Sequence, residues 1–159
     1  RKRNISLVCD QLATFKNSIR MENKETYIKL YKLVDKLKNS DDPKRKYEYI
    51  LWLGKKLKIP NNSILIPENK VHGCVSEVFV KGIFQEGKLY WEGYSDALIT
   101  KGLLAFLISG MNELTPKEVV NINNKFIEDT GLKASLTPSR SNGFLNILLK
   151  MKSQANEFL

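Results

Sequence analysis

The chain has 159 residues, of which 42% are hydrophobic and 27% are charged, a composition typical of a globular domain rather than of a disordered or collagen-like chain. Its longest apolar run, residues 103–108, is far shorter than the roughly 20 residues a membrane-spanning helix needs, so we predict no transmembrane segment. Two cysteines, Cys9 and Cys74, and one histidine, His72, are too few for a disulfide framework, a four-ligand zinc site or a cysteine-ligated cluster.

The net charge of +9 lies wholly in the first 60 residues. These hold 16 Lys and Arg against 7 Asp and Glu, whereas residues 61–159 hold 10 of each kind. A basic N-terminal region on a neutral body is typical of a solvated helical face, a targeting segment or a docking surface for an acidic partner. It is less typical of a nucleic-acid-binding fold, in which the basic surface belongs to the body.

Residues 1–23 are predicted to form a basic N-terminal extension, and residues 24–159 a single domain. The extension is rich in arginine and poor in acids, as is the end of an organelle transit peptide. Four of its apolar residues also fit one helical face: Leu7, Leu12, Phe15 and Ile19. That pattern alternatively predicts a short helix laid against the domain.

Two amphipathic helices are predicted to open the domain. Over residues 24–38 the apolar side chains recur at the i, i+3, i+4, i+7 spacing of one helical face. Asp42 and Pro43 then predict a second helix start, because aspartate accepts hydrogen bonds from free amides and proline suits the first helical position. Pro60 closes this second helical segment.

A change of period from 3.6 to 2 predicts a β-hairpin in the middle of the chain. Residues 78–84 and 89–92 alternate in hydropathy on either side of a glycine-containing turn, residues 85–87. We expect a third strand near residues 64–66 or 70–72, because a hairpin alone is marginally stable. The predicted fold class is therefore α+β, with helices packed on one face of a small three-stranded antiparallel sheet.

Helices are predicted for the rest of the chain. Residues 97–108 are apolar almost all round, which predicts a central buried helix that ends at Gly110 and is capped by Ser95 or Asp96. Residues 115–118 form a capping box. A short helix stops at Gly131, and a last helix follows residues 136–141. The last helix is expected to bury four side chains: Phe144, Leu145, Leu148 and Met151.

Cys74 is the strongest candidate for chemistry. It follows Gly73 at the mouth of a strand, and glycine lets the backbone turn tightly and present the thiol at a loop tip. One interpretation is an inert, buried side chain, since cysteine is among the most buried residue types. The other is a reactive thiolate, which needs nearby cations or amides and for which His72 is a candidate helper.

Two charged residues are further candidates. Asp96 is either a helix cap or a carboxylate that holds the cysteine loop closed. Arg140 is the only arginine after Arg45, and its fork of donors suits a carboxylate, in a partner or in the same chain.

Three blocks of residues together resemble the SufE family of sulfur acceptors for cysteine desulfurases. The blocks are VHGCVSEV at residues 71–78, GYSDA with TKGLL within residues 93–104, and LTPSRSNG at residues 136–143. The resemblance runs from about residue 27 to residue 152. It implies helices packed on a small antiparallel sheet, similar to the fold of the IscU-type scaffolds.

The resemblance also implies a function for Cys74. A PLP-dependent, SufS-like desulfurase would hold sulfur as a persulfide, and Cys74 would accept that sulfur and stimulate the enzyme. The sulfur would then pass to a SufBCD-like scaffold complex for iron-sulfur cluster assembly. The chain would be an accessory protein rather than an enzyme, with no cofactor or metal of its own, because PLP belongs to the desulfurase.

By the same resemblance, two sets of residues surround this role. The residues expected to support the cysteine loop are His72, Gly73, Ser76 and Asp96. The residues expected to contact the desulfurase are Glu77, Ser139 and Arg140. The family commonly has glutamine where Val75 and Glu77 stand, so any hydrogen bonds of those amides are altered here.

Lysine outnumbers arginine 21 to 5, a bias expected of an AT-rich genome. With the character of the extension and the Suf resemblance, this favours a plastid such as an apicoplast, and a bacterial cytoplasm is the alternative. The alternative function is a basic nucleic-acid-binding domain with an inert Cys74, which the N-terminal charge motivates. No membrane partner is expected.

Overall fold

The computed structural model describes the backbone of residues 2–159 and the side chains of residues 5–16 and 24–159. These residues form one β-hairpin among seven α-helices, which is the predicted α+β fold. The strands are β1 (Val78–Gln85) and β2 (Lys88–Ser95). The helices are α1 (Lys2–Thr26), α2 (Ile28–Lys38), α3 (Pro43–Lys55), α4 (Leu98–Met111), α5 (Pro116–Val120), α6 (Phe126–Asp129) and α7 (Pro138–Asn156).

The central helix is α4, which is buried almost all round, as predicted. It packs against α2, α3, α7 and β2, and Phe106 meets Phe144 of α7 edge to face, with ring centroids 5.8 Å apart. The prediction that α4 ends at Gly110 is wrong, since the helix continues past it. Gly110 lies against α2, where an added Cβ would be 2.8 Å from Leu30 Cδ1, so the glycine serves close packing rather than termination.

The predicted starts of two helices are confirmed. Asp42 Oδ1 accepts a backbone N–H of the first turn of α3 at 2.9 Å, and Pro43 is the first residue of that helix. Thr115 and Glu118 make both hydrogen bonds of a capping box at α5. The last helix, α7, begins at Pro138, earlier than predicted, and Thr137 Oγ1 accepts a backbone N–H of its first turn at 3.3 Å. Each of these bonds joins residues only two or three apart. Each satisfies an amide that has no partner within its own helix.

The inward face of α7 differs from the prediction at one position. Phe144, Leu148 and Met151 are buried as expected, whereas Leu145 is 37% exposed. Ile147 is fully buried in its place. The buried residues follow one helical face at i, i+3, i+4 and i+7, and the residue directly after Phe144 falls outside that face.

The hairpin turns through Glu86 and Gly87, whose φ angles of 50° and 79° are those of a type I′ turn. The sheet has two strands in the described residues, so the predicted third strand is wrong. The first expected segment, residues 64–66, is not a strand. It lies where two short 3-10 turns, Asn62–Ile64 and Pro67–Asn69, follow each other. In the other, Lys70 makes only an isolated bridge to β1, because the chain turns away at Gly73, where φ is 81°.

A side chain of α7 covers the outer edge of β1 in place of a third strand. Gln154 Oε1 accepts the N–H of Gly82 at 2.8 Å, and Gln154 Nε2 donates to the carbonyl oxygen of Val80 at 2.7 Å. This buried amide satisfies the same backbone groups that a neighbouring strand would pair.

The N-terminal helix α1 is longer and more exposed than predicted. It continues past the expected boundary at residue 23 to Thr26, and every described side chain from residue 5 to residue 16 is exposed. The expectation of a short helix laid against the domain is therefore wrong for these residues, and the side chain of Ile19 lies outside the described part. Among the described helices, none combines the length and apolarity needed to cross a membrane.

Candidate functional site

The segment that carries Cys74, residues 71–77, forms a loop between the Lys70 bridge and β1, and we call it the Cys74 loop. Its first residue, Val71, is buried and donates its N–H to the carbonyl oxygen of Val78 at 2.8 Å. At its other end Glu77 N–H donates to Asp96 Oδ1 at 3.0 Å, and Asp96 N–H donates to the carbonyl oxygen of Glu77 at 3.3 Å. Both ends of the loop are thus tied to the hairpin.

The Cys74 thiol lies against the second turn of α7. It is half-buried, and Sγ is 3.8 Å from the carbonyl oxygen of Gly143, which it approaches as a donor. A Cβ added to Gly143 would be 3.4 Å from Sγ, so the sulfur lies directly over this residue of the helix. Asn146, one turn further, donates Nδ2 to the carbonyl oxygen of Gly73 at 3.3 Å.

Arg140 joins the loop to the start of α4. Its Nη1 donates to Ser76 Oγ at 3.1 Å and to Thr100 Oγ1 at 2.7 Å. The two hydroxyl oxygens lie 3.0 Å apart and bond each other. The guanidinium group of Arg140 therefore donates to hydroxyl groups of its own chain. These hydrogen bonds link the Cys74 loop, α4 and α7.

Two opposing effects act on the acidity of the thiol. Burial raises the pKa of Cys74 above its ordinary value, and the positive charge of Arg140 lowers it. Burial is the larger effect, so the neutral thiol is favoured while the loop rests on α7. Any movement that exposes Sγ and keeps it near Arg140 removes the larger effect and favours the thiolate.

An Arg140→Gln variant should therefore react more slowly at neutral pH. Loss of the guanidinium charge raises the Cys74 pKa further, so the pH profile of alkylation by iodoacetamide moves to higher pH. We expect a rate at neutral pH that is about three- to tenfold lower, since one pKa unit changes the thiolate fraction about tenfold. The plateau at high pH separately reports access to the sulfur. Lys133→Gln, at an exposed lysine, is the matched control; a midpoint that is unchanged or lower in Arg140→Gln would contradict the assignment.

The remaining site residues predicted from the sequence do not contact the Cys74 side chain through hydrogen bonds in the structure. Asp96 does not cap α4: the N-cap is Ala97, whose N–H donates to Ser95 Oγ at 3.3 Å. His72 has an exposed side chain that makes no hydrogen bond to another described residue. The side chains of Glu77 and Ser139 are also exposed.

Three residues that contact the loop were not predicted as site residues: Thr100, Gly143 and Asn146. A signal for two of them was present, because Arg140, Gly143 and Asn146 are spaced three apart and share one side of a helix. Nothing in the sequence connects that side of the helix to a loop about 70 residues earlier. In the described residues, no group of three His, Cys, Asp or Glu side chains is placed to hold a metal ion.

The site lies within a segment that matches a known family. A model of the SufE family, described as an Fe-S metabolism associated domain, matches residues 31–155. The chain belongs to the SufE family. The matched segment includes the whole Cys74 loop and the residues of α4 and α7 on which it rests.

Relatives of this SufE-family chain come from a cyanobacterium, a plant and a parasite. An uncharacterized SufE-like protein of Synechocystis is 48% identical over 129 residues, or 81% of each chain. SufE-like protein 1, chloroplastic/mitochondrial, of Arabidopsis thaliana is 39% identical over 80% of this chain and 34% of its own length. The cysteine desulfuration protein SufE of Plasmodium falciparum is 33% identical over 77% of this chain and 54% of its own length. The chain thus spans about a third of the plant relative and about half of the Plasmodium relative.

The fold is also found in a solved structure. The solution structure of a hypothetical protein from Thermus thermophilus matches with a TM-score of 0.70 at 23% identity. The match covers 81% of this chain and 94% of that one.

Proposed function

We propose that Cys74 accepts a sulfur atom from a cysteine desulfurase and delivers it for iron-sulfur cluster assembly. The observation that carries the proposal is the position of this thiol: it rests half-buried on α7, near Arg140, in a loop tied down by a few hydrogen bonds. Membership of a family associated with Fe-S metabolism supports it, as does the name of the Plasmodium relative.

The transfer step is a thiol–disulfide type of exchange. Cys74, as the thiolate, attacks the terminal sulfur of the persulfide on the desulfurase. The bond between the two sulfur atoms of that persulfide breaks, and the desulfurase cysteine leaves as a thiolate that takes up a proton. Cys74 becomes the persulfide, so no external oxidant or reductant is needed.

The resting position of the loop protects a persulfide from oxidants. Sγ lies against Gly143, and the surrounding helix covers that side of the loop. Release requires breaking the bonds of Gly73 and Ser76 to α7, of Ser76 to α4, and of Glu77 to Asp96. At about 0.5–1.5 kcal/mol for each bond, the sum is a few kcal/mol, which docking on a partner can supply.

The proposed sulfur transfer requires two partners, a donor and a recipient. The donor is a SufS-like cysteine desulfurase, which supplies the PLP, and the chain acts as its accessory and activator. The exposed side chains of Glu77 and Ser139 border the loop, and with Arg140 they are the proposed contacts. Val75, at 75% exposed, presents an apolar side chain at the loop tip for the same contact. The recipient is a SufBCD-like scaffold complex.

For the compartment we propose a plastid. The basic, acid-poor N-terminal segment and the name of the Arabidopsis relative support this proposal. The Synechocystis relative is equally compatible with the alternative, a bacterial cytoplasm.

The direct test is the mass of the peptide that contains Cys74. After incubation with a SufS-like cysteine desulfurase and L-cysteine, we expect that peptide to gain one sulfur atom and to lose it on reduction. The peptide that contains Cys9 is the internal control and should keep its mass. A gain on neither peptide, with a desulfurase that turns over, would reject the proposal.

A further inference from the structure

Thr100 places a buried hydroxyl group in an otherwise apolar part of α4. It is the third residue of the helix and is 3% exposed, and Ile99, Leu103 and Leu104 around it are buried hydrophobic residues. A buried hydroxyl group is costly unless it forms hydrogen bonds. The partners of this group therefore bear directly on its role.

Those partners are Ser76 and Arg140. Thr100 Oγ1 accepts a hydrogen bond from Arg140 Nη1 at 2.7 Å and one from Ser76 Oγ at 3.0 Å. A hydroxyl oxygen has two acceptor sites, so these two donors fill its acceptor capacity. Thr100 thus serves as an acceptor for the Cys74 loop and for the guanidinium group at the same time.

The guanidinium group of Arg140 depends on hydroxyl oxygens for its position. The ion pairs among the described residues do not involve Arg140. In the same part of the chain, its side-chain hydrogen bonds go to Thr100 and Ser76. An arginine side chain has several rotatable bonds, and acceptors for its donors are needed to hold it in one conformation.

The two acceptors differ in how far they can move. Ser76 belongs to the Cys74 loop and moves with it when the loop leaves α7. Thr100 belongs to the central helix α4, which is buried almost all round and cannot follow the loop. Once the loop has left, Thr100 is therefore the acceptor that still holds Arg140.

The position of Arg140 matters for the acidity of the thiol. Arg140 lies one turn before the carbonyl group of α7 that Cys74 Sγ approaches at 3.8 Å, and its positive charge lowers the pKa of Cys74. The titratable side chains of His72, Glu77 and Asp96, on the loop and the hairpin, do not shift that pKa. A guanidinium group that moved into solvent would therefore leave the thiol without its charged neighbour.

We propose that Thr100 is a positioning residue for the sulfur chemistry of Cys74, which it serves by holding the guanidinium group of Arg140 beside the cysteine site. The hold lasts while the loop is closed and when Ser76 moves away with it. The inference rests on the proposed function of Cys74 as a sulfur acceptor. Acceptance of sulfur requires a thiolate as the loop opens, and a nearby cation that stays in place favours it at that moment.

Alkylation of Cys74 by iodoacetamide, followed as the mass of its peptide over a range of pH, tests this role on the free chain. Thr100→Val keeps the volume of the side chain and removes the acceptor, while the bonds of the loop to Asn146 and to the hairpin remain. We expect the midpoint of the pH profile to rise by about half a unit and the rate at neutral pH to fall about threefold. Thr100→Ser restores the hydroxyl group and should restore the midpoint. Thr100→Ala should give the same rise as Thr100→Val.

Combining Thr100→Val with Arg140→Gln decides whether the effect passes through Arg140. The double variant should have the midpoint of Arg140→Gln alone, because no charge is left to position. Thr130→Val is the matched control, at a buried threonine at the end of α6 whose hydroxyl group also makes two hydrogen bonds. It should lower the melting temperature and leave the midpoint of Cys74 unchanged.

A role of Thr100 in loop closure alone predicts the opposite sign. Loosening the loop exposes Sγ, which removes the effect of burial, so the midpoint of Thr100→Val would fall. An unchanged or lower midpoint in Thr100→Val, no recovery in Thr100→Ser, or a further shift in the double variant would overturn the proposal. Alkylation needs no desulfurase, so its outcome is separate from the mass test of sulfur transfer, which alone decides the function of Cys74.

Discussion

Replacing Cys74 with serine is expected to abolish the stimulation of a cysteine desulfurase by this chain. The hydroxyl oxygen of serine cannot take the place of the attacking sulfur, so the persulfide on the desulfurase finds no acceptor. Sulfide release in the presence of L-cysteine and limiting reductant should return to the rate of the desulfurase alone, and transfer to the chain should fall by at least about a hundredfold.

The matched control is Cys9→Ser, which changes the other cysteine. Cys9 is exposed on α1, and both cysteines are free thiols. Cys9→Ser should stimulate the desulfurase as the unchanged chain does. Full stimulation by Cys74→Ser, with a melting temperature near that of the unchanged chain, would contradict the sulfur-acceptor function while leaving the fold and the family as they are.

The second large effect is expected for Gly102→Ala, at the contact of α3 with α4. A Cβ added to Gly102 would lie 2.1 Å from the carbonyl oxygen of Ile50 and 2.7 Å from its carbonyl carbon. Gly54 meets the same contact from α3, because its added Cβ would be 2.9 Å from Gly102 N. Backbone atoms cannot rotate away as a side chain can, so the two helices must separate.

Two effects of Gly102→Ala have opposite signs, and their sizes decide the result. Helix propensity alone predicts that alanine stabilises α4 by about 1 kcal/mol. The clash with backbone is expected to cost about 3–5 kcal/mol, since it disrupts packing around fully buried residues such as Leu103 and Leu104. The net loss of about 2–4 kcal/mol lowers the melting temperature by roughly 4–16 °C for a chain of this size.

Thermal unfolding followed by circular dichroism measures that loss. Lys101→Ala, at the preceding residue of α4, is the control, because its side chain is only half-buried and the backbone contact is unchanged. It should change the free energy of unfolding by no more than about 1 kcal/mol. A Gly102→Ala chain that melts at or above the temperature of the unchanged chain would show that the backbones of α3 and α4 are not in close contact at Gly102.

Only part of the cysteine site could be predicted from the sequence. The glycine before Cys74 indicated a loop tip, and the resemblance of three blocks to one family indicated that Asp96 lies near it and that Arg140 contacts the desulfurase. The structure brings all three close together. It also adds Gly143 and Asn146, which contact the loop from positions about 70 residues later in the chain. A contact over that separation leaves no local pattern in a single sequence.

Some features were determined by the sequence alone, because their cause lies within a few residues. Asp42, Thr115 and Thr137 accept hydrogen bonds from amides two or three residues away, and the turn at Glu86 and Gly87 sets its own conformation. The family and the α+β class follow from such local patterns and from the three blocks.

Tertiary structure alone decided the features in which a distant element competes for the same atoms or space. The third strand is absent because Gln154 satisfies the edge of β1 from α7, and Gly110 continues a helix because α2 packs on it. The acidity of Cys74 has the same origin, since its burial comes from its contact with α7 and its neighbouring charge is Arg140. In each case the free energy depends on groups far apart in the chain, which only folding brings together.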